Sequence, residues 1–188
     1  MLIDYFKNFY GIDVATGAYK IEISLDTYID VFNEWDPAPF KNRDLDPHFE
    51  EFIKDCSADI PMKYKIELSL CLPKEQYDPQ KETIIKEGIV TSFQSNIEII
   101  NKNIRGMNKN SLVYSLTALV FLISAILLEP YSINSVFFSL LLQGLFIGGW
   151  VFLWEAFNIY FFIKGNIKNQ RRVYKRLALS DIEFKYTS

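Results

Sequence analysis

"SLVYSLTALVFLISAILL", residues 111–128, runs for eighteen residues without a charge, and after the four residues "EPYS" comes "INSVFFSLLLQGLFIGGWVFLW", residues 133–154, twenty-two more. Each run matches the ~20 residues a helix needs to cross ~30 Å of hydrocarbon. Glu129 and Pro130 place a charge and a helix breaker between them. The pair therefore predicts a transmembrane hairpin with its turn at residues 129–132. The competing reading, a buried helix pair of a soluble protein, expects shorter helices that turn amphipathic somewhere along their length.

The flanks carry the positive charge. Lys102, Arg105 and Lys109 precede the first run, Lys164, Lys168, Arg171, Arg172, Lys175 and Arg176 follow the second, and the turn has no base. By the positive-inside rule both termini are cytoplasmic, in a protein that crosses the membrane twice. The whole chain repeats the asymmetry: residues 1–101 hold 19 acids and 10 bases, and residues 102–188 hold 4 acids and 10 bases. By composition the basic run suits a polyanion. Beside a span, its cations fit anionic lipid headgroups better than nucleic acid, at about 1 kcal/mol each.

Apolar sequence continues past Trp154 as "EAFNIYFFI", too long for the bilayer unless the helix tilts or emerges. Emergence is expected, with Trp150, Trp154, Phe157, Tyr160 and Phe161 as an interfacial aromatic belt and an interfacial or cytoplasmic helix over 155–180. Glu155 then lies at the boundary, where a carboxylate is a functional candidate unless it reaches water or pairs with Lys109. Within the second span, Gly144 and Gly148 form a GxxxG with Gln143 beside it. Close approach at the small residues and an amide bond from Gln143 to Thr117 would hold a hairpin or a dimer.

Upstream, residues 79–110 carry Ile85, Ile89, Phe93, Ile97, Ile100, Ile104 and Met107 at spacings of three and four, an unbroken helical stripe. The helix is about 40 Å long, a stalk leading into the first span. A three-strand sheet is narrower than that at ~4.8 Å per strand. Part of the stripe is thus expected against another helix, either the one after Trp154 or its counterpart in a second copy.

Residues 1–78 read as a cytoplasmic α+β domain. "YKIEISLDT" (19–27) and "KYKIELSLCLP" (63–73) alternate apolar and polar residues, the mark of half-buried strands. Between them Phe49, Phe52, Ile53, Cys56 and Ile60 form the inner stripe of a helix. "SDIEFKYTS" alternates again, so residues 181–188 are expected to return as a third strand, building the domain from both ends of the chain. The N-terminal "MLIDYFKNFYGID" meets Asp4 too early for a secretory signal, and none is expected.

Little in the sequence points to catalysis. Cys56 and Cys71 lack a CxxC spacing and read as reduced, buried thiols. His48 is the single histidine, which leaves no nucleophilic triad or His-rich metal site unless His48 is itself the base. No phosphate-binding glycine motif follows a strand. The remaining candidate is "WDPAPFKNRDLDPHFEEF", residues 35–52. Its Asp36, Asp44 and Asp46 suit a cation or acid–base work, but the stretch lacks an EF-hand's glycine and terminal glutamate, and Arg43 among them favours an ion pair with Asp36 or Asp44. A purely structural reading accounts for most of these residues, with Asp46 as helix N-cap, Pro47 at the first helical position, Glu50 and Glu51 in the first turn, and Trp35 and Phe40 as buried anchors. Asp36, Arg43 and Asp44 are left as a candidate partner surface.

"FNEWDPAPFKNRDLDPHFEEFI", with the strand, charged helix, short hairpin and "GGWVFLWEAF" that follow, resembles a family of small bacterial membrane proteins with an FNxxDPxPxxxRDLD-type segment and a GW…W second span. The resemblance covers the chain from about residue 20 and implies bacterial origin and inner-membrane location, with no activity attached. The function expected is a membrane-anchored assembly or regulatory module without catalysis or cofactor, acting through self-association or a partner complex. The alternatives are an oligomeric pore built from the hairpins and, more distantly, a metal-dependent enzyme at the aspartate loop.

Overall fold

The computed structural model describes residue 6 and residues 9–132 and 136–187. Most of the N-terminal apolar stretch, the start of the second apolar run at 133–135 and the last expected strand residue at 188 lie outside the described residues. The chain is mostly helical, with a four-stranded sheet and two helices long and apolar enough to cross a membrane. It divides into two units, the first made of residues up to Glu98 together with those from Arg171 on, the second of Ile99–Gln170.

The first unit centres on the sheet, in the order β1 (Gly11–Ile12), β2 (Tyr19–Ser24), β3 (Ile66–Pro73), β4 (Asp181–Thr187). β1 is antiparallel to β2, while β2, β3 and β4 run parallel. The register puts Ile21 beside Leu68 and Leu68 beside Ile182, then Ile23 beside Leu70 and Leu70 beside Phe184. The three alternating segments therefore present one continuous apolar face. Parallel neighbours need a long crossover between them. Helix α1 (Pro47–Asp59) supplies the first, and everything from α2 to α4 supplies the second.

α1 and the start of α2 (Pro79–Ser132) cover the apolar face. Phe49, Ile53, Ser57 and Ile60 are buried on or just after α1, and Ile85, Ile89 and Phe93 are fully buried on α2. The expected α1 stripe is corrected in two places: Phe52 is exposed and Cys56 half-buried, because the buried line follows i, i+4, i+8 and lands on Ser57. Both thiols are only partly covered. Trp35 is 92% exposed and anchors nothing. Of the two expected anchors only Phe40 serves, half-buried against Phe32 at 5.3 Å and over Gly88 of α2, with Leu45 buried beside Phe32. A Cβ at Gly88 would run into the Phe40 carbonyl, so this glycine is what lets the loop lie on the helix.

β3 is buried along both faces over Ile66–Leu70, not half-buried as its alternation suggested. It is an inner strand of the parallel part of the sheet, and its polar face is roofed by side chains from its neighbours. Lys185 on β4 reaches Glu22 on β2 at 2.7 Å, and Lys20 on β2 lies 3.6 Å from Glu67 and 3.9 Å from Glu183. The Lys185–Glu22 and Lys20–Glu183 pairs both cross β3 at the level of Ser69, which is fully buried with no hydrogen-bond partner for its hydroxyl among the described residues.

In the second unit α2 continues to Ser132, and α3 (Val136–Asn158) follows. The expected turn at 129–132 is corrected: these residues are helical, with Pro130 inside the last turn. A proline there deprives the carbonyl four residues back of its donor and crowds it, a cost borne where only two helical residues follow. After α3 come one turn of π-helix, Ile159–Ile163, and then α4 (Lys164–Ala178). The apolar windows of the two long helices have mean hydropathy 2.3 and 2.0 but are only 11% and 6% buried, the reverse of a core helix in a soluble protein.

Candidate functional site

The aspartate loop is organised by backbone bonds. Asp46 Oδ1 accepts the amides of His48 and Phe49 at 2.9 and 3.0 Å and Pro47 takes the first helical position, the cap expected. Asp36 accepts from Ala38 N at 2.9 Å and from Asp44 N at 2.8 Å. Those two donors hold its carboxyl below the usual carboxylate range. Arg43 makes no carboxylate ion pair among the described residues. Its Nε donates to the Ala38 carbonyl at 2.9 Å and its guanidinium sits 5.1 Å from the Phe40 ring centre. The three residues expected as a partner surface thus come together, but Asp36 and Arg43 turn inward to close their own loop. Among the described residues no three His, Cys, Asp or Glu side chains gather as a metal ligand set.

The Asp-Pro device recurs where sequence reading did not name it. Asp78 Oδ1 accepts from Gln80 N and Lys81 N at 3.1 and 3.2 Å, with Pro79 opening α2. The same Asp-Pro pair that marked α1 would have marked this start.

The basic run divides. Lys168, Arg172 and Lys175 are exposed, and Lys164 lies over the Tyr160 ring at 4.8 Å. Arg171 is half-buried, and its Nε has no hydrogen-bond partner among the described residues. Arg176, expected among the lipid contacts, is corrected: it donates to the carbonyls of Ser57 at 2.8 Å, Ile60 at 2.7 Å, Pro61 at 3.4 Å and Tyr64 at 2.8 Å. It closes the C-terminal end of α1, whose last carbonyls have no helical donor. Nearby, Tyr174 donates to Glu50, and burial with that bond pushes its phenol above the usual value.

A second polar network ties β4 to the start of α2. Tyr28 Oη accepts from Asp78 N at 3.2 Å and lies 2.7 Å from the Tyr186 hydroxyl, which also donates to Glu82. Burial, then the Glu82 bond, raises the Tyr186 phenol.

In the hairpin, close approach occurs at Gly148 and Gly149. A Cβ on Gly148 would come within 2.8 Å of Phe121, and one on Gly149 within 2.8 Å of Leu122. Gly144 has nothing within 4 Å of that point, Gln143 is exposed, and no bond joins Gln143 to Thr117 among the described residues. Within the hairpin the close contact therefore lies at Gly148 and Gly149 and not at Gly144, which falls outside the α2-facing stripe that Gly149, Phe152 and Ala156 follow. The expected pairing of Glu155 with Lys109 is absent too: among the described residues the Glu155 carboxylate has the Asn158 amide at 3.5 Å and no cation within ion-pair distance.

No protein-family description, curated protein or solved structure matches the chain.

Proposed function

We propose that this is a bacterial inner-membrane protein in which the hairpin spans the bilayer, both termini are cytoplasmic, and the sheet-bearing unit acts without catalysis as an assembly or regulatory module through self-association. The observation that carries the reading is the flank of α3 at Gln143 and Gly144. There an amide and a glycine lie uncovered on a helix of mean hydropathy 2.0. In hydrocarbon an unpaired amide costs free energy, and a second helix meeting the glycine closely would satisfy it. The scarcity of buried residues in both apolar windows supports the membrane location on the same grounds.

Disulfide trapping in membranes tests this. With Cys56 and Cys71 replaced by Ala, Gln143→Cys is expected to give a crosslinked dimer on oxidation, while Leu127→Cys, exposed on α2, stays monomeric. Equal crosslinking at both sites, or at neither, would sink the self-association reading. Failure of the chain to float with vesicles would sink the membrane reading itself.

A further inference from the structure

We propose that the hairpin binds the ammonium headgroup of a zwitterionic phospholipid beside Glu155, a site that rests on the membrane reading above and adds a ligand class to it. A groove of about 530 Å³ is lined by Tyr114, Trp150, Val151, Phe152, Trp154 and Glu155, a volume within the range of ligand pockets. Trp150 and Trp154 stand one turn apart on α3 and are 62% and 70% exposed. Tyr114 of α2 stacks on Phe152 with ring centres 6.1 Å apart, and Ser111 donates to the Ala156 carbonyl at 3.3 Å. The two helices are thus fixed against each other at this level, and the groove is a built feature of the pair.

Glu155 is the one charged group in the lining, and its chain supplies no cation to it among the described residues. A carboxylate on an apolar surface needs a positive partner or must give up its charge. The aromatic walls narrow the partner's chemistry, since indole and phenol faces attract ammonium cations, above all those weakly held by water. The groove opens onto lipid-type surface, with Ile147 and Val151 exposed at 66% and 60%, where acyl chains would lie. A lipid carrying a terminal ammonium meets all three demands. Phosphatidylglycerol brings apolar chains with a negative headgroup and is repelled by Glu155.

The test uses the full chain in detergent, in a Trp35→Phe background so that fluorescence reports Trp150 and Trp154, the other two of its three tryptophans. Dihexanoyl-phosphatidylcholine is expected to shift their emission saturably, and the phosphatidylglycerol of the same chain length to leave it unchanged. Glu155→Gln and Trp154→Leu should each weaken the choline lipid about tenfold. The proposal is overturned by equal response to the glycerol lipid, by Glu155→Gln binding as wild type, or by tetramethylammonium binding as tightly as the lipid, which would make the site one for a soluble cation. Flotation with phosphatidylethanolamine–phosphatidylglycerol vesicles separates the two readings. A chain that floats but shows no headgroup preference loses this site alone, and one that does not float loses the membrane reading with it.

Discussion

Asp46 satisfies two of the orphan amides at the start of α1, and Asp46→Ala is expected to cost about 1 kcal/mol in denaturant unfolding. Arg176 plays the matching part at the other end of the helix for several carbonyls at once, and its planar fork cannot be copied by an ammonium. Arg176→Lys should therefore cost on the order of 3 kcal/mol, well beyond the cap. The difference in legibility follows from sequence distance: the cap's partners lie two and three residues away, whereas those of Arg176 lie 112 to 119 away. A basic residue at the end of a basic run gives no sign of such partners. Glu67 differs in sign from the loop aspartates. Burial, and then the bond to Glu183, raise its carboxyl in the folded state, so its proton is held more tightly folded than unfolded. Its contribution to stability is present below the ordinary glutamate value and lost as pH rises through the folded one. Glu67→Gln, which mimics the protonated form while Lys20 keeps Asp13 at 3.5 Å, should raise Tm at pH 7 to 8 and converge with wild type near pH ~4. Asp13, Asp36 and Asp78 are held low by backbone amides, so wild type itself loses stability as pH falls below that range.

At the scale of elements, the glycines of α3 separate packing from spacing. Gly144 and Gly148 satisfy the GxxxG pattern, yet Gly148 and Gly149 meet α2. A pattern four residues long repeats around any helix and does not say which face is turned inward. Gly149→Val is expected to destabilise the hairpin by about 1–3 kcal/mol through overpacking against Leu122, read as a lower melting temperature in detergent. Gly144→Ala should leave the monomer's stability unchanged within error. The same logic explains the stalk and the turn. The stripe from Ile85 to Met107 was legible because seven apolar residues keep one phase, and Ile85, Ile89, Phe93 and Ile100 are buried while Ile97, Ile104 and Met107 are half-buried. Pro130 reads as a breaker in the sequence, yet residues 129–132 are helical: it sits two residues from the end of α2, so the bond it breaks leaves almost no helix beyond it.

At the scale of the molecule, alternation in three segments was enough to show strands and a chain whose two ends share one sheet, because side-chain period is local. Direction was not legible: alternation is the same for parallel and antiparallel pairing, and the burial of β3 on both faces depends on Lys20, Glu22, Glu183 and Lys185 meeting across it. The parallel β3–β4 pairing makes the hairpin part of a crossover connection within a domain whose core residues all lie outside Ile99–Gln170. Phe93 of α2 and Tyr174 of α4 stand 6.4 Å apart between ring centres, so the two helix segments that bound the insertion are already neighbours. A chain in which residues 99–170 are replaced by a short Gly/Ser turn is expected to fold as a water-soluble domain with the full sheet, because it keeps the apolar face, the Arg176 clamp and the Tyr28–Tyr186–Glu82 network. Removal of residues 181–188 from that chain should abolish cooperative unfolding. It uncovers the edge of β3 and strips Leu68, Leu70 and Leu72 of the neighbours Ile182, Phe184 and Tyr186, and a sheet of two strands and a two-residue edge is marginal. Circular dichroism and amide exchange on the two chains decide it: protected β3 amides in the first and none in the second are the expected pair. A folded second chain would mean that β4 is an accessory strand, and that the return of the chain after α4 serves something other than closing the domain.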